Sequence, residues 1–515
     1  MCRSRVGSLF IGAVLLGATV FVDGARPAYA DADGCAVGVK SDFNNDGRSD
    51  TVVADPHATV DGLAEAGRIN VLFGDADGLV GEGARAVIYQ GLGSIGGIAE
   101  SGDHFGASMA VADIDCDGYT DVVVGIPDED INGQSDSGYV QVIFGSAGGL
   151  SAGKASRNLT QTNVGLPITA GDQFGYAVDA LEDVGQGGTP APDAYAIAIG
   201  APGADVDGKN DSGLVAFLAA LDGGNSSSVT TQSSPGIPGA AEAGDRFGAA
   251  VSLNYLSGVA SIVDCAVGIP NEDVGSAKDA GAVTVVQDIY EAAEAGIGLD
   301  QNAAGVPGGA ESGDLYGRSL DTVKVGGTSR LAVGVPGEDV GRDARAGVVQ
   351  LFSSDGEDID PGKVLSQDTS GVSDSTQTGD IFGDKVAWAA PGLSDTTTRL
   401  AVSATKEDGA ANETGMVQVF PINSLGSEST YTQSTAGIPG AATAGDRFGS
   451  TLAVVEGATE RVLLVGVPDD GGNPTGMVNV IPFGGGTPRF WSPGAGGVPT
   501  GGASRFGGAL ASVTG

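Results

Sequence analysis

Asp113-Ile-Asp-Cys-Asp-Gly-Tyr-Thr-Asp121 sets four carboxylates on nine residues, at loop positions 1, 3, 5 and 9, with Gly118 at position 6. Alternate positions on a tight loop converge on one point, and the glycine admits the backbone turn that convergence needs. Hard oxygen donors in that number suit Ca²⁺, with the Tyr119 carbonyl and water completing the shell. Without a cation four aspartates this close would repel one another. The loop opens like an EF-hand loop, but it ends at position 9 with Asp rather than at 12 with Glu. Its flanks also read as strands, so the helix–loop–helix reading fails on context.

Other chemistry has little to work with. The two histidines, His57 and His104, sit far apart in sequence, and neither accompanies a nucleophile in a recognisable motif. His104 stands where related segments carry Gln173 or Arg246, which marks it as a tolerant surface position. Paired carboxylates are too abundant for any one pair to point to glycoside cleavage. Trp388 and Trp491 are the only tryptophans, poor provision for stacking sugars, and no phosphate-binding loop is present.

The elements that must position the Asp loop are short. Residues 107–112 and 121–125 are rich in small and β-branched residues and bounded by turn formers, so they read as two strands of a hairpin. The unit repeats. A Phe-Gly pair recurs at Phe105, Phe174, Phe247, Tyr316 (as Tyr-Gly), Phe382, Phe448 and Phe506. Gly-x-Pro recurs at Pro127, Pro202, Pro270, Pro336 and Pro468, with weaker copies at Ala54-Asp55-Pro56 and Ser403-Ala404-Thr405. The period is about 58–75 residues. Each unit offers four short strands: after Phe-Gly, before Gly-x-Pro, a third such as residues 347–352, and a fourth ending near a glutamine. Four antiparallel strands repeated seven times predict an all-β, seven-bladed β-propeller, with an open solenoid as the competing architecture. The Phe-Gly glycines would allow close approach near the axis, with Phe filling between blades.

Two further features follow. Gly34-Cys35 replaces Phe-Gly in the first unit, while the C-terminus supplies a spare pair at Phe506-Gly507, so the last strand should pack on the first blade and close the ring. Gln90, Gln232, Gln301, Gln367 and Gln433 lie 15 residues before the next aromatic, Gln161 lies 13 before, and Trp491 takes this place in the seventh copy. These glutamines are expected to pin loop backbone.

The chain of 515 residues carries a formal charge of −40. Residues 1–30 read as a secretory signal peptide: Arg3 and Arg5, an apolar stretch over 9–22, and Ala28-Tyr29-Ala30 before Asp31. Its removal takes three arginines and Asp23, leaving −42 on residues 31–515, read as a single domain. Such a surface disfavours nucleic acid and anionic membranes and attracts divalent cations and basic partners. No later segment is long and apolar enough to span a bilayer. Three cysteines remain after cleavage. A Cys35–Cys116 bridge is expected, tying the N-terminus to the Asp loop, with Cys265 a buried inert thiol.

Phe-Gly, the Asp loop and Gly-x-Pro, repeated through residues 34–515, resemble the FG-GAP repeat of the integrin α-subunit N-terminal propeller. The resemblance implies Ca²⁺ loops at Asp42, Asn44, Asp46 and Asp50 in the first unit and at Asp113, Asp115, Asp117 and Asp121 in the second. The third unit departs from the pattern with Asp179-Ala-Leu-Glu-Asp183, and units four to seven (from Leu253, Thr322, Ala389 and Val455) lack the loop. Two calcium sites are therefore expected, with neither an inserted metal domain nor a heterodimer architecture.

Acidic loops follow the Gly-x-Pro turns at Asp128-Glu129-Asp130, Asp205, Glu272-Asp273, Glu338-Asp339, Glu407-Asp408 and Asp469-Asp470. They should lie on the face opposite the Asp loops, either as solvated edge protection or as a ring for a basic partner or further cations. The expectation is a secreted or cell-surface, monomeric, non-enzymatic binding or adhesion module for an extracellular protein or glycan, meeting its partner through loops on one rim. A hydrolase or lyase on a propeller scaffold and a structural cell-envelope component are the alternatives.

Overall fold

The computed structural model describes residues 41–182, 195–221, 224–257, 262–289, 295–355, 358–389, 397–426, 428–457, 460–472, 475–495, 498, 500 and 504–511. Upstream, Tyr29–Ala30 and Ala36–Val37 pair as two short antiparallel strands. Residues 1–28, most of the expected leader, and Cys35, half of the expected bridge, lie outside the described residues.

Seven four-stranded antiparallel sheets make up the remainder. Blade 2 is Ser108–Ala112, Asp121–Ile126, Tyr139–Ile143 and Arg157–Leu159, hydrogen-bonded in chain order. The first strands of blades 3–7 are Ala177–Glu182, Ala250–Asn254, Ser319–Val325, Phe382–Ala389 and Thr451–Glu456. In blade 1 the first place is taken by Ala509–Leu510, which pairs with Thr51–Asp55 through Val53–Leu510 and Ala54–Ala509. Each first strand neighbours the first strand of the next blade, and Ala509–Leu510 touches those of both blade 2 and blade 7. The circle is closed as the spare Phe-Gly pair predicts, and the solenoid reading falls.

Seven apolar clusters fill the seven gaps between blades, in place of one central core. The strand period of two explains how. In Asp121–Ile126, Val122, Val124 and Ile126 pack toward blade 1, whereas Val123 packs toward blade 3. A strand covered on both faces reads as a continuous apolar run, and all six of its residues are buried. The Phe or Tyr of every Phe/Tyr-Gly pair is fully buried, one in each gap. Cys265 lies in the gap between blades 3 and 4 and is the free cysteine among the described residues. Burial pushes its thiol pKa up, as an inert buried thiol requires.

Backbone joins the blades beside each aromatic. Phe174 donates its N–H to the Ser137 carbonyl of blade 2 at 3.1 Å, and Gly138 forms a parallel bridge with Phe174. Equivalent bonds link Phe105 to Ala66, Phe247 to Ser212, Tyr316 to Ala280, Phe382 to Ala346 and Phe448 to Thr414. A Cβ on Gly138 would lie 2.2 Å from the Phe174 nitrogen, so no other residue fits. The Gly-x-Pro glycine is crowded in the same way: a Cβ on Gly125 would meet the Gly175 carbonyl oxygen at 2.1 Å.

The repeated glutamines do more than pin backbone. Gln90, Gln232, Gln301 and Gln367 donate across the blade boundary to Glu129, Glu272, Glu338 and Glu407 at 2.5–2.8 Å, and Gln433 donates to Asp470 at 2.7 Å. Gln161 bonds Asp172 and the Ser137 carbonyl. Trp491 departs from the series, its indole N–H donating to Glu82 of blade 1 at 3.0 Å. One carboxylate in most acidic loops is thus a clamp held from the preceding blade, and neighbours such as Asp130, Asp339 and Asp408 are the more exposed groups.

Burial raises the carboxyl of Glu407 to about 8, and those of Glu129, Glu272 and Glu338 to about 7, against the lowering effect of the glutamine amides. An acid with a raised folded pKa holds its proton more tightly in the folded chain. Its stabilising contribution is full below the unfolded value of 4.5 and is lost as pH climbs through 7–8. Thermal melts from about pH 5 to about pH 8.5 are therefore expected to show a falling Tm, flattened in Glu407→Gln. A wild-type Tm that rose over this window would contradict the clamps. Closure is tested separately: Phe506→Ala should cost about 3–5 kcal/mol in denaturant unfolding, and an unchanged midpoint would contradict a closed ring.

Candidate metal centres

The loop after the first strand of blade 2 is folded by its own aspartates. Asp113 accepts the N–H of Asp117 at 3.2 Å and of Gly118 at 2.9 Å, and Asp117 accepts that of Tyr119 at 3.1 Å. These bonds turn alternate residues inward, which brings one carboxylate oxygen from each of Asp113, Asp115 and Asp117 within 4.8 Å of one another. Lys154 pairs with Asp115 while its ammonium lies 3.6 Å from the centre of the Phe144 ring.

The loop of blade 1 repeats this scaffold. Asp42 accepts from Asp46 at 3.1 Å and Gly47 at 2.7 Å, Asp46 accepts from Arg48 at 3.0 Å, and Asn44 Oδ1 takes the Asp46 N–H at 3.1 Å. The two loops are also docked on each other. Thr120 donates its N–H to the Asp42 carbonyl at 3.0 Å, and its hydroxyl accepts the Asp42 N–H at 3.1 Å.

Asp121 and Asp50 differ from their loop partners in what their oxygens bind. Both oxygens of Asp121 accept backbone N–H groups, from Gly145 at 2.8 Å and Ile114 at 2.9 Å. Asp50 does the same with Gly74 and Phe43, both at 2.9 Å. Blade 4 shows that this role needs no cation loop: Asp264, at the same place in its blade, accepts from Ser257 and from Asp288 at 3.1 Å. Asp264 was not legible as a counterpart because the other loop carboxylates are absent there. In the third unit the expected loop residues Asp179 and Glu182 belong to the strand Ala177–Glu182: Asp179 accepts the Leu253 N–H of blade 4 at 2.7 Å, and Glu182 accepts the Asp113 N–H at 2.6 Å. Asp183 lies outside the described residues.

Electrostatics mark both loops as crowded with acid. Burial, then like charge from Glu182, Asp117 and Asp115, pushes the Asp113 carboxyl to about 7, and burial pushes Asp121 and Asp50 to about 8. The donor set is all oxygen, with aspartates at alternate positions and a carbonyl at Tyr119, and it fits a hard divalent cation.

Residues 105–143 match the family model described as FG-GAP repeat. The chain is a seven-bladed β-propeller that carries an FG-GAP repeat in its second blade. Integrin alpha-IIb of Homo sapiens is 31% identical over 155 residues, which are 29% of this chain and 13% of that protein. Among solved structures, the NanB sialidase of Streptococcus pneumoniae overlays with a TM-score of 0.36 at 11% identity, covering 85% of this chain and 67% of that one. The polysaccharide lyase Uly1 gives 0.35 at 10% identity, covering 78% and 81%. Overlays this loose carry no argument about activity. No helix among the described residues of the propeller is long and apolar enough to cross a membrane.

The two kinds of loop aspartate should separate on substitution. Asp121→Ala leaves two buried N–H groups without an acceptor and is expected to destabilise by about 2–4 kcal/mol with or without added divalent cation. Asp115→Ala should change the cation-free melt little and reduce the rise in Tm that cation produces. Equal behaviour of the two variants in a cation titration would refute the division.

Proposed function

We propose that this FG-GAP propeller is a calcium-stabilised extracellular binding module, non-enzymatic, that presents loops on one rim to a protein or glycan partner. The observation that supports it is the docking of two acidic loops on one another at the junction of blades 1 and 2. Asp113, Asp115 and Asp117 with the Tyr119 carbonyl would hold one ion, and Asp42, Asn44 and Asp46 the other. A bound Ca²⁺ supplies charge neutralisation and coordinate bonds within each loop. The chain supplies the rest: Asp113 and Asp42 set the turns, Asp121 and Asp50 anchor them to the third strands, and Thr120 ties the two loops together. Stability then grows with free calcium by mass action, and a stiff ring keeps its rim loops in one arrangement.

Two arms test this. Calcium should raise Tm in proportion to the logarithm of its free concentration above the dissociation constant, and a chelator should reverse the rise. The mature protein should retain a partner from extracellular or envelope extracts in calcium and release it in chelator. Turnover in a screen of polysaccharides and esters would favour the hydrolase or lyase instead, and retention of nothing in either condition would favour a structural role. Amino-terminal sequencing of the secreted protein checks cleavage after residue 30, and alkylation mapping checks the Cys35–Cys116 bridge.

A further inference from the structure

The two histidines of the chain, remote in sequence, meet at the junction of blades 1 and 2. His57 and Glu65 lie in the connection between Thr51–Asp55 and Arg68–Leu72, and His104 immediately precedes Phe105. Strand direction puts all three on the rim opposite the Asp loops, since they occupy connections at the other ends of the same strands. The two imidazoles stand edge to face with ring centres 4.6 Å apart. His57 Nδ1 lies 3.4 Å from Glu65 Oε1, and His104 Nε2 lies 3.9 Å from Glu65 Oε2.

His104 is no tolerant surface residue. Its Nδ1 lies 2.7 Å from Asp128 Oδ2, and its backbone N–H donates to the Glu65 carbonyl at 3.1 Å. With Nδ1 taken by Asp128, the other nitrogen faces Glu65 and His57. That atom, Nε2, is buried and has no hydrogen-bond partner. A buried, unpartnered imidazole nitrogen is costly unless something binds it. One ligand atom from each of His57, Glu65 and His104 lies within 4.8 Å of the other two.

We propose that His57, Glu65 and His104 form a binding site for a borderline divalent ion of the Zn²⁺ class, with Asp128 as the outer partner that orients His104. Metal–nitrogen bonds of about 2.0–2.1 Å in a tetrahedral site place ligand atoms about 3.3 Å apart, so the histidine–Glu65 separations of 3.4 and 3.9 Å would close by small side-chain movements. Two imidazoles and one carboxylate suit zinc, whereas calcium prefers an oxygen shell, so this site is chemically distinct from the Asp loops. The hydrogen bond from a ligating histidine to a carboxylate is the usual outer support of such a centre. Three protein donors leave a fourth position for water. At the junction of blades 6 and 7 the same slots hold Arg447 and Glu413, which meet at 2.7 Å, and a guanidinium offers no lone pair to a metal.

The test uses the mature protein in saturating Ca²⁺, so that the Asp loops are occupied, and titrates Co²⁺ as an optical probe with Zn²⁺ as competitor. One equivalent of Co²⁺ should bind with the intense visible absorption of a low-coordinate ion, and Zn²⁺ should displace it. His57→Gln and His104→Gln should each weaken binding roughly 100-fold or more, Asp128→Asn about 10–100-fold, and Asp115→Asn not at all. Metal-free melts report whether each variant folds; if a histidine variant does not, Glu65→Gln, an exposed side chain, decides with the same expected loss. Absence of a Co²⁺ band in the wild type, or undiminished affinity in either the histidine double variant or Glu65→Gln, would leave a histidine–carboxylate contact only and overturn the site.

Discussion

One contact is made at junction after junction around the ring: the N–H of a buried Phe or Tyr reaches the carbonyl of the preceding blade, over a glycine with no room for a side chain. It joins two sheets by backbone, so it fixes distance and tilt in a way that apolar packing alone would not. The aromatic then fills the gap it has set, and the apolar faces on either side inherit a common spacing. The Phe-Gly and Gly-x-Pro signatures mark where two backbones must touch, which explains why these marks recur in blade after blade.

Carboxylates in this very acidic chain divide into three physical classes. Some are backbone acceptors: Asp121, Asp50 and Asp264 at the starts of strands, and Asp179 from mid-strand across to the next blade. Some are blade-to-blade clamps, such as the partly buried Glu129 and the buried Glu407, each met by a glutamine. The remainder crowd into loops or face solvent. Net charge describes only the last class; for the first two, what matters is the N–H that each oxygen accepts.

Much of the architecture was legible because it repeats: strand count, blade count, ring closure through Phe506 and the placing of the aromatic all follow from periodic marks in the sequence. The Asp113 loop was legible because its turn chemistry is local. What escaped was partnership across a boundary. Gln90 and Glu129 are 39 residues apart and His57 and His104 are 47 apart, and no local pattern says that they touch. Asp121 and Asp115 look alike in sequence, yet one is sheathed in backbone N–H groups and the other faces its neighbours, a difference set by where the third strand ends.

The pairing of Ala509–Leu510 with Thr51–Asp55 has a consequence for biosynthesis. The earliest of the seven blades to be made is the last to be finished, since its axial strand follows all the other blades in the chain. Until then the edge at Thr51–Asp55, an apolar row with open N–H and C=O groups, stays available to any other strand. The nascent ring therefore depends on keeping that seam uncommitted until residues 509–510 emerge, and a chain cut short before them would carry a sticky margin beside its acidic loops.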